Sequence, residues 1–103
     1  MTDYRPEPLT DSDADAQTSG AWTVDGGMLV ATYKPGNMVR GLEMVTAVAA
    51  AAEEANHHPD VDLRYPTVTY RLMTHSEGQL TSYDVALAQR IDAIAAEMEI
   101  PAG

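Results

Sequence analysis

The sequence predicts an α+β domain in which a four-stranded antiparallel sheet carries two long helices on one face, in the order ββαββα, with room for a short helix ahead of it. Three observations lead there. Two β-rich runs flank the turn Asp25-Gly26-Gly27, apolar residues recur at helical spacing over two later stretches, and Val68, Tyr70 and Leu72 alternate with polar neighbours.

Residues 1–20 are acidic and polar, with Asp11, Asp13 and Asp15 alternating with small residues and Leu9 as the aliphatic anchor. Such a segment either frays or forms a short helix from Thr10 or Asp11, and the domain proper is expected over 21–103. Ala21–Val24 and Met28–Tyr33 read as a hairpin closed by the two glycines. Lys34-Pro35-Gly36-Asn37 breaks the second strand. From Met38 the positions Met38, Leu42, Val45, Val48, Ala49 and Ala52 define a helix stripe. The alanines of 47–52 favour helix and permit close approach of another element. Asn56 suits the C-terminal cap and Pro59 marks the stop. Val61–Tyr65 reads as a short strand and Val68–Met73 as a clearer one with a single buried face. An extended chain past Met73 would set His75 on the face opposite Val68, Tyr70 and Leu72. Ser76-Glu77-Gly78-Gln79 is loop. A second long helix starts at Thr81 or Ser82, with Val85, Ala88, Ile91, Ala95 and Met98 on one stripe, and Pro101 ends it.

A chain of 103 residues forms one domain. Domains of this size have narrow stability margins, which favours an oligomer burying a strand edge or a helix face. The net charge of −10, with six Lys and Arg in all, argues against nucleic acid and anionic membrane surfaces. No apolar run reaches the roughly 20 residues of a membrane span. The first residues resemble no secretory signal, and the lack of cysteine excludes thiolate chemistry and fits a cytoplasmic setting.

The three histidines fall in two places, His57-His58-Pro59 just past the first long helix and His75 just past the last strand. Imidazole titrates near neutral pH, so two or three brought together suit proton transfer. Each alone also has a plain role, capping a helix end or standing in solvent. Zinc is a poor fit, because adjacent histidines seldom ligate one ion and no H-x-x-x-H or cysteine accompanies them. Thr81 and Asp84 have the spacing of a capping box, which accounts for Asp84 without chemistry. Glu53 lies one turn before His57, near enough to orient an imidazole. Trp22 and Tyr70 are assigned to the core, and Arg71 to a solvated strand position.

From Tyr33 to Ala95 these residues resemble the pterin-4a-carbinolamine dehydratases, also called 4a-hydroxytetrahydrobiopterin dehydratases. The resemblance lies in Glu53, His57-His58-Pro59, Tyr65, Thr74-His75, Leu80-Thr81 and Asp84-Val85-Ala86-Leu87-Ala88, in order and without a gap. The chain departs from the family pattern in having Val61 for a common Trp, Asn56 for Asp before the histidine pair and Gln79-Leu80 for Gly-Leu. Its leading segment is also nearly devoid of apolar residues. The resemblance implies the same sheet-and-helix fold. It implies dehydration of 4a-hydroxytetrahydrobiopterin to quinonoid dihydropterin, in recycling the pterin of aromatic amino-acid hydroxylases, with no metal and no organic cofactor. His57 and His75 would be the main proton-transfer pair, and His58 would bind pterin or share the proton work. Glu53 and Asp84 would orient imidazoles, Asp84 counting with the catalytic set. Glu53, His58 and Pro59 would form the binding set. The resemblance also implies a homodimer or homotetramer, with a hydroxylase as partner. The alternative is a non-catalytic relative of the kind that assists RuBisCO assembly, since one fold hosts many functions.

Overall fold

The computed structural model describes residues 6–103; the first five, part of the acidic leading segment, lie outside it. The elements are α1 (Asp11–Ala16), β1 (Trp22–Asp25), β2 (Met28–Tyr33), α2 (Met38–Ala55), β3 (Asp60–Leu63), β4 (Val68–Leu72) and α3 (Ser82–Glu97). The strands form one antiparallel sheet in the order β1-β2-β4-β3. This is the expected α+β architecture.

The hairpin β1–β2 pairs Asp25 with Met28 across two residues. Gly26 and Gly27 have φ values of 61° and 79°, the left-handed pair that a two-residue turn between twisted strands requires. Alternation then sorts the sheet faces. Leu29, Ala31 and Tyr33 of β2 and Val68, Tyr70 and Leu72 of β4 are buried beneath the helices. The opposite face carries half-buried residues, among them Thr32 and Thr69, whose hydroxyls are hydrogen-bonded across the strands at 2.7 Å.

Trp22 and Tyr33 both reach α3, where the Trp22 indole N–H donates to Asp92 at 3.0 Å and the Tyr33 hydroxyl donates to the same carboxylate oxygen. Burial, followed by that hydrogen bond and the Asp92 charge, pushes the Tyr33 phenol above its ordinary range. Burial alone does the same to Tyr70, whose hydroxyl meets no hydrogen-bond partner among the described residues.

The short helix expected from Thr10 or Asp11 forms as α1. A reciprocal capping box between Thr10 and Asp13 starts it, and Ala14 is fully buried. Leu9 N–H donates to Leu80 O, and Ser82 N–H to Glu7 O, at 3.0 and 2.9 Å. Residues 7–20 therefore pack with the domain and do not stand apart from it.

The α2 stripe needs correction. Gly41, Met44, Val48, Ala51 and Ala52 face the core. Met38 and Leu42, from the predicted stripe, are 44% and 55% exposed. The apolar sector of α2 is wider than the core covers, and the packed side is centred on Gly41, Met44 and Val48. A Cβ on Gly41 would lie 2.8 Å from Leu63 Cδ1, so this glycine lets β3 approach the helix closely. In α3 the predicted stripe is the packed one: Val85, Ala88, Ile91 and Ala95 are buried and Met98 is half-buried.

Candidate active site

Three chain segments meet at one end of the sheet: the C-terminus of α2, the turn after β4 and the N-terminus of α3. At the first, Asn56 adopts a left-handed conformation with φ 51° and ψ 42°. Its N–H donates to Glu53 O at 3.2 Å, and His57 N–H donates to Ala52 O at 3.0 Å. This nested pair satisfies the last carbonyls of the helix and reverses the chain. Asparagine is among the few non-glycine residues that take this conformation at low cost. The reversal parts the adjacent imidazoles: His57 turns inward and is 9% exposed, while His58 turns out.

His57 Nε2 lies 2.6 Å from Asp84 Oδ1, and Asp84 is completely buried. The other carboxylate oxygen receives the Thr74 hydroxyl at 2.8 Å and the Thr81 N–H at 2.9 Å. An ionised carboxylate only accepts, so Nε2 carries the hydrogen and Nδ1 is left as the basic nitrogen. Asp84 thus has two roles at once. It closes the capping box of α3 that its spacing from Thr81 predicted, and it stands behind His57 and sets that ring's orientation.

His75 is not on a strand face. β4 ends at Leu72, Thr74 pairs with Gln79, and His75 sits exposed in the intervening turn. The turn closes because Glu77 N–H and Gly78 N–H both donate to Thr74 O, at 3.0 and 2.9 Å, with Gly78 at φ 65°. His57, His58 and His75 nevertheless line one open cleft of about 340 Å³, together with Thr74 and Tyr83. That volume falls in the lower part of the range for small-molecule sites, roughly 300–1,000 Å³. The Tyr83 ring meets His57 edge-on, at a centroid distance of 5.8 Å and an interplanar angle of 61°.

The expected binding residues divide. His58 Nε2 is hydrogen-bonded to the Glu53 carboxylate on the exposed side of α2. Glu53 and Pro59 line a second groove of about 330 Å³ with Val45, Ala49 and Val61, and do not line the histidine cleft. His58 borders both. Sequence reasoning missed Tyr83 as a wall and Thr74 as a structural partner of Asp84. Only the juxtaposition Thr74-His75 hinted at the latter. Among the described residues no group of three His, Cys, Asp or Glu side chains is placed to hold a metal ion, and no helix is long and apolar enough to cross a membrane.

The sequence pattern of the family described as Pterin 4 alpha carbinolamine dehydratase matches residues 7–94. A protein of Mycobacterium tuberculosis, provisionally named pterin-4-alpha-carbinolamine dehydratase, is 43% identical over 88 residues, covering 84% of this chain and 94% of its own. A relative in Mycobacteroides abscessus with the same provisional name is 42% identical over 86 residues, covering 82% and 92%. Among solved structures, a protein described as a transcriptional coactivator/pterin dehydratase from Brucella melitensis superposes with a TM-score of 0.79 at 29% identity, covering 86% of this chain and 99% of its own. A pterin dehydratase-like protein described as a RuBisCO assembly factor in the alpha-carboxysome gives a TM-score of 0.58 at 25% identity, covering 72% and 86%. With most of its length matched in sequence and its fold shared, this chain belongs to the pterin-4-alpha-carbinolamine dehydratase family.

Proposed function

We propose that this protein removes water from a 4a-hydroxytetrahydropterin, forming the C4a=N5 double bond of a quinonoid dihydropterin. The observation that carries the reading is the cleft itself, which His57, His58 and His75 all line and in which His57 is held by a buried carboxylate. In this scheme His57 Nδ1 takes the proton from N5. The electrons of that N–H bond form the C4a=N5 bond, and the C4a–O bond breaks. Imidazolium His75 gives its proton to the departing hydroxyl, which leaves as water. Exchange with solvent then resets both rings. His58, paired with Glu53, contacts the heterocycle at the border of the cleft. The chemistry asks nothing of a metal or an organic cofactor. The product would return to tetrahydropterin in support of an aromatic amino-acid hydroxylase.

Acid–base assistance of this kind is worth roughly 10²–10⁴-fold. Stopped-flow ultraviolet absorbance on freshly generated 4a-hydroxytetrahydropterin should show decay well above the spontaneous rate. His57→Ala and His75→Ala should each lose most of that acceleration while keeping the fold. Near-normal turnover in both variants would sink the assignment. A folded wild-type protein without acceleration would point to a binding role of the assembly-factor kind.

A further inference from the structure

We infer that Thr74 is a positioning residue that ties the two proton-transfer histidines together, acting on His57 through Asp84 and on His75 through its own backbone. Thr74 is 4% exposed. Its hydroxyl lies 2.6 Å from the Thr81 hydroxyl and 2.8 Å from Asp84 Oδ2. The direction of these bonds follows from counting hydrogens. The carboxylate only accepts, so the single hydroxyl hydrogen of Thr74 goes to Asp84. The Thr81 hydroxyl must then supply the hydrogen between the two threonines, while its own oxygen accepts the Tyr83 N–H at 3.2 Å. A one-way chain runs from the first turn of α3 through Thr81 and Thr74 to Asp84. Aligned hydrogen bonds of this kind polarise one another. At its end Oδ1 is left facing His57 Nε2, which keeps the hydrogen on that nitrogen and the lone pair on Nδ1.

The main chain of the same residue holds the other histidine. Thr74 N–H donates to Gln79 O at 3.2 Å, and Thr74 O receives Glu77 N–H and Gly78 N–H. Every one of these bonds spans or closes the turn that presents His75. A threonine present only to fill space would have no need of its hydroxyl, and valine would serve.

The test uses Thr74→Val and Thr74→Ser. The kinetic arm rests on the dehydratase reading; the spectroscopic arm does not. In Thr74→Val, kcat should fall roughly 10–100-fold with KM little changed, and the limb of the pH–rate profile set by His57 should move. Thr74→Ser, which keeps the hydroxyl, should restore both. Long-range proton–nitrogen NMR of the histidine rings should show His57 wholly in the Nε2–H form in the wild type and as a tautomer mixture in Thr74→Val. Unchanged kcat and tautomer in Thr74→Val would overturn the inference, as would a Thr74→Ser variant as impaired as Thr74→Val. If the wild type shows no turnover, the dehydratase reading fails and the tautomer result alone decides the role of Thr74. If Thr74→Val does not fold, the wild-type Thr74 hydroxyl proton decides. A resolved signal shielded from water supports the inference, and rapid exchange overturns it.

Discussion

At the scale of single residues, the site depends on a helix ending where Asn56 sits. The left-handed backbone there is what sends His57 inward and His58 outward. Replacing Asn56 by Ala should cost about 1 kcal/mol of stability, and replacing it by Gly should cost little or be favourable. Chemical denaturation of the two variants beside the wild type checks this ordering. Equal loss in both would mean that the Asn56 side chain, and not its backbone, holds the turn. Much of this scale was legible in the sequence. The Thr81–Asp84 cap, the Asn56 helix stop and the core placement of Trp22 and Tyr70 all follow from local rules. The Asp84–His57 hydrogen bond spans 27 positions, and no local rule could join those two residues. His75 would share a strand face only if the chain stayed extended past Met73, and β4 ends at Leu72. The turn is closed by the Thr74–Gln79 pairing, a contact that the alternation pattern does not encode.

At the scale of elements, α2 shows how an amphipathic pattern can be read with the wrong centre. Its apolar sector runs from Met44 through Val48 and Ala52 to Met38 and Leu42, and only the first part meets the sheet. Gly41 carries no hydrophobic signal, yet it lies at the middle of the packed side. The two halves should differ sharply on mutation. Met44→Ala, at a position with no exposure, should lose about 2–5 kcal/mol. Leu42→Lys should change the stability of an isolated subunit by no more than about 0.5 kcal/mol. Thermal melts at low protein concentration make the comparison. A large loss at Leu42 would show that this side of the helix is covered in solution. The hairpin and α3 were read correctly because each is specified within one short window. The Gly26-Gly27 turn and the buried stripe from Val85 to Ala95 leave little choice.

At the scale of the whole molecule, the placement of β4 between β2 and β3 depends on contacts made after α2 has crossed the sheet. Alternation shows that four strands exist and which faces are apolar, but not their lateral order. The centre of the sheet also sets a limit in alkali. Tyr33 and Tyr70 both titrate higher in the fold than in the unfolded chain, chiefly because they are buried. Below about pH 10 both states keep the phenolic protons, and the stability this provides is fully present. As the pH rises above that value the unfolded chain ionises first. Stability should then fall by roughly 1.4 kcal/mol per pH unit for each phenol, until the folded values are passed. Denaturant midpoints at pH 9 and pH 11 test this, with Tyr70→Phe expected to show a shallower decline. An equal decline in that variant would remove Tyr70 from the account.

The reversal at Asn56 gives the site a divided inheritance. His57 answers to the interior, to Asp84 and the threonines behind it, while His58 answers to the solvent edge of α2 and to the groove beside Val61. A change at Val61 therefore meets His58 across the shared groove before it can reach His57, which the interior holds from the other side.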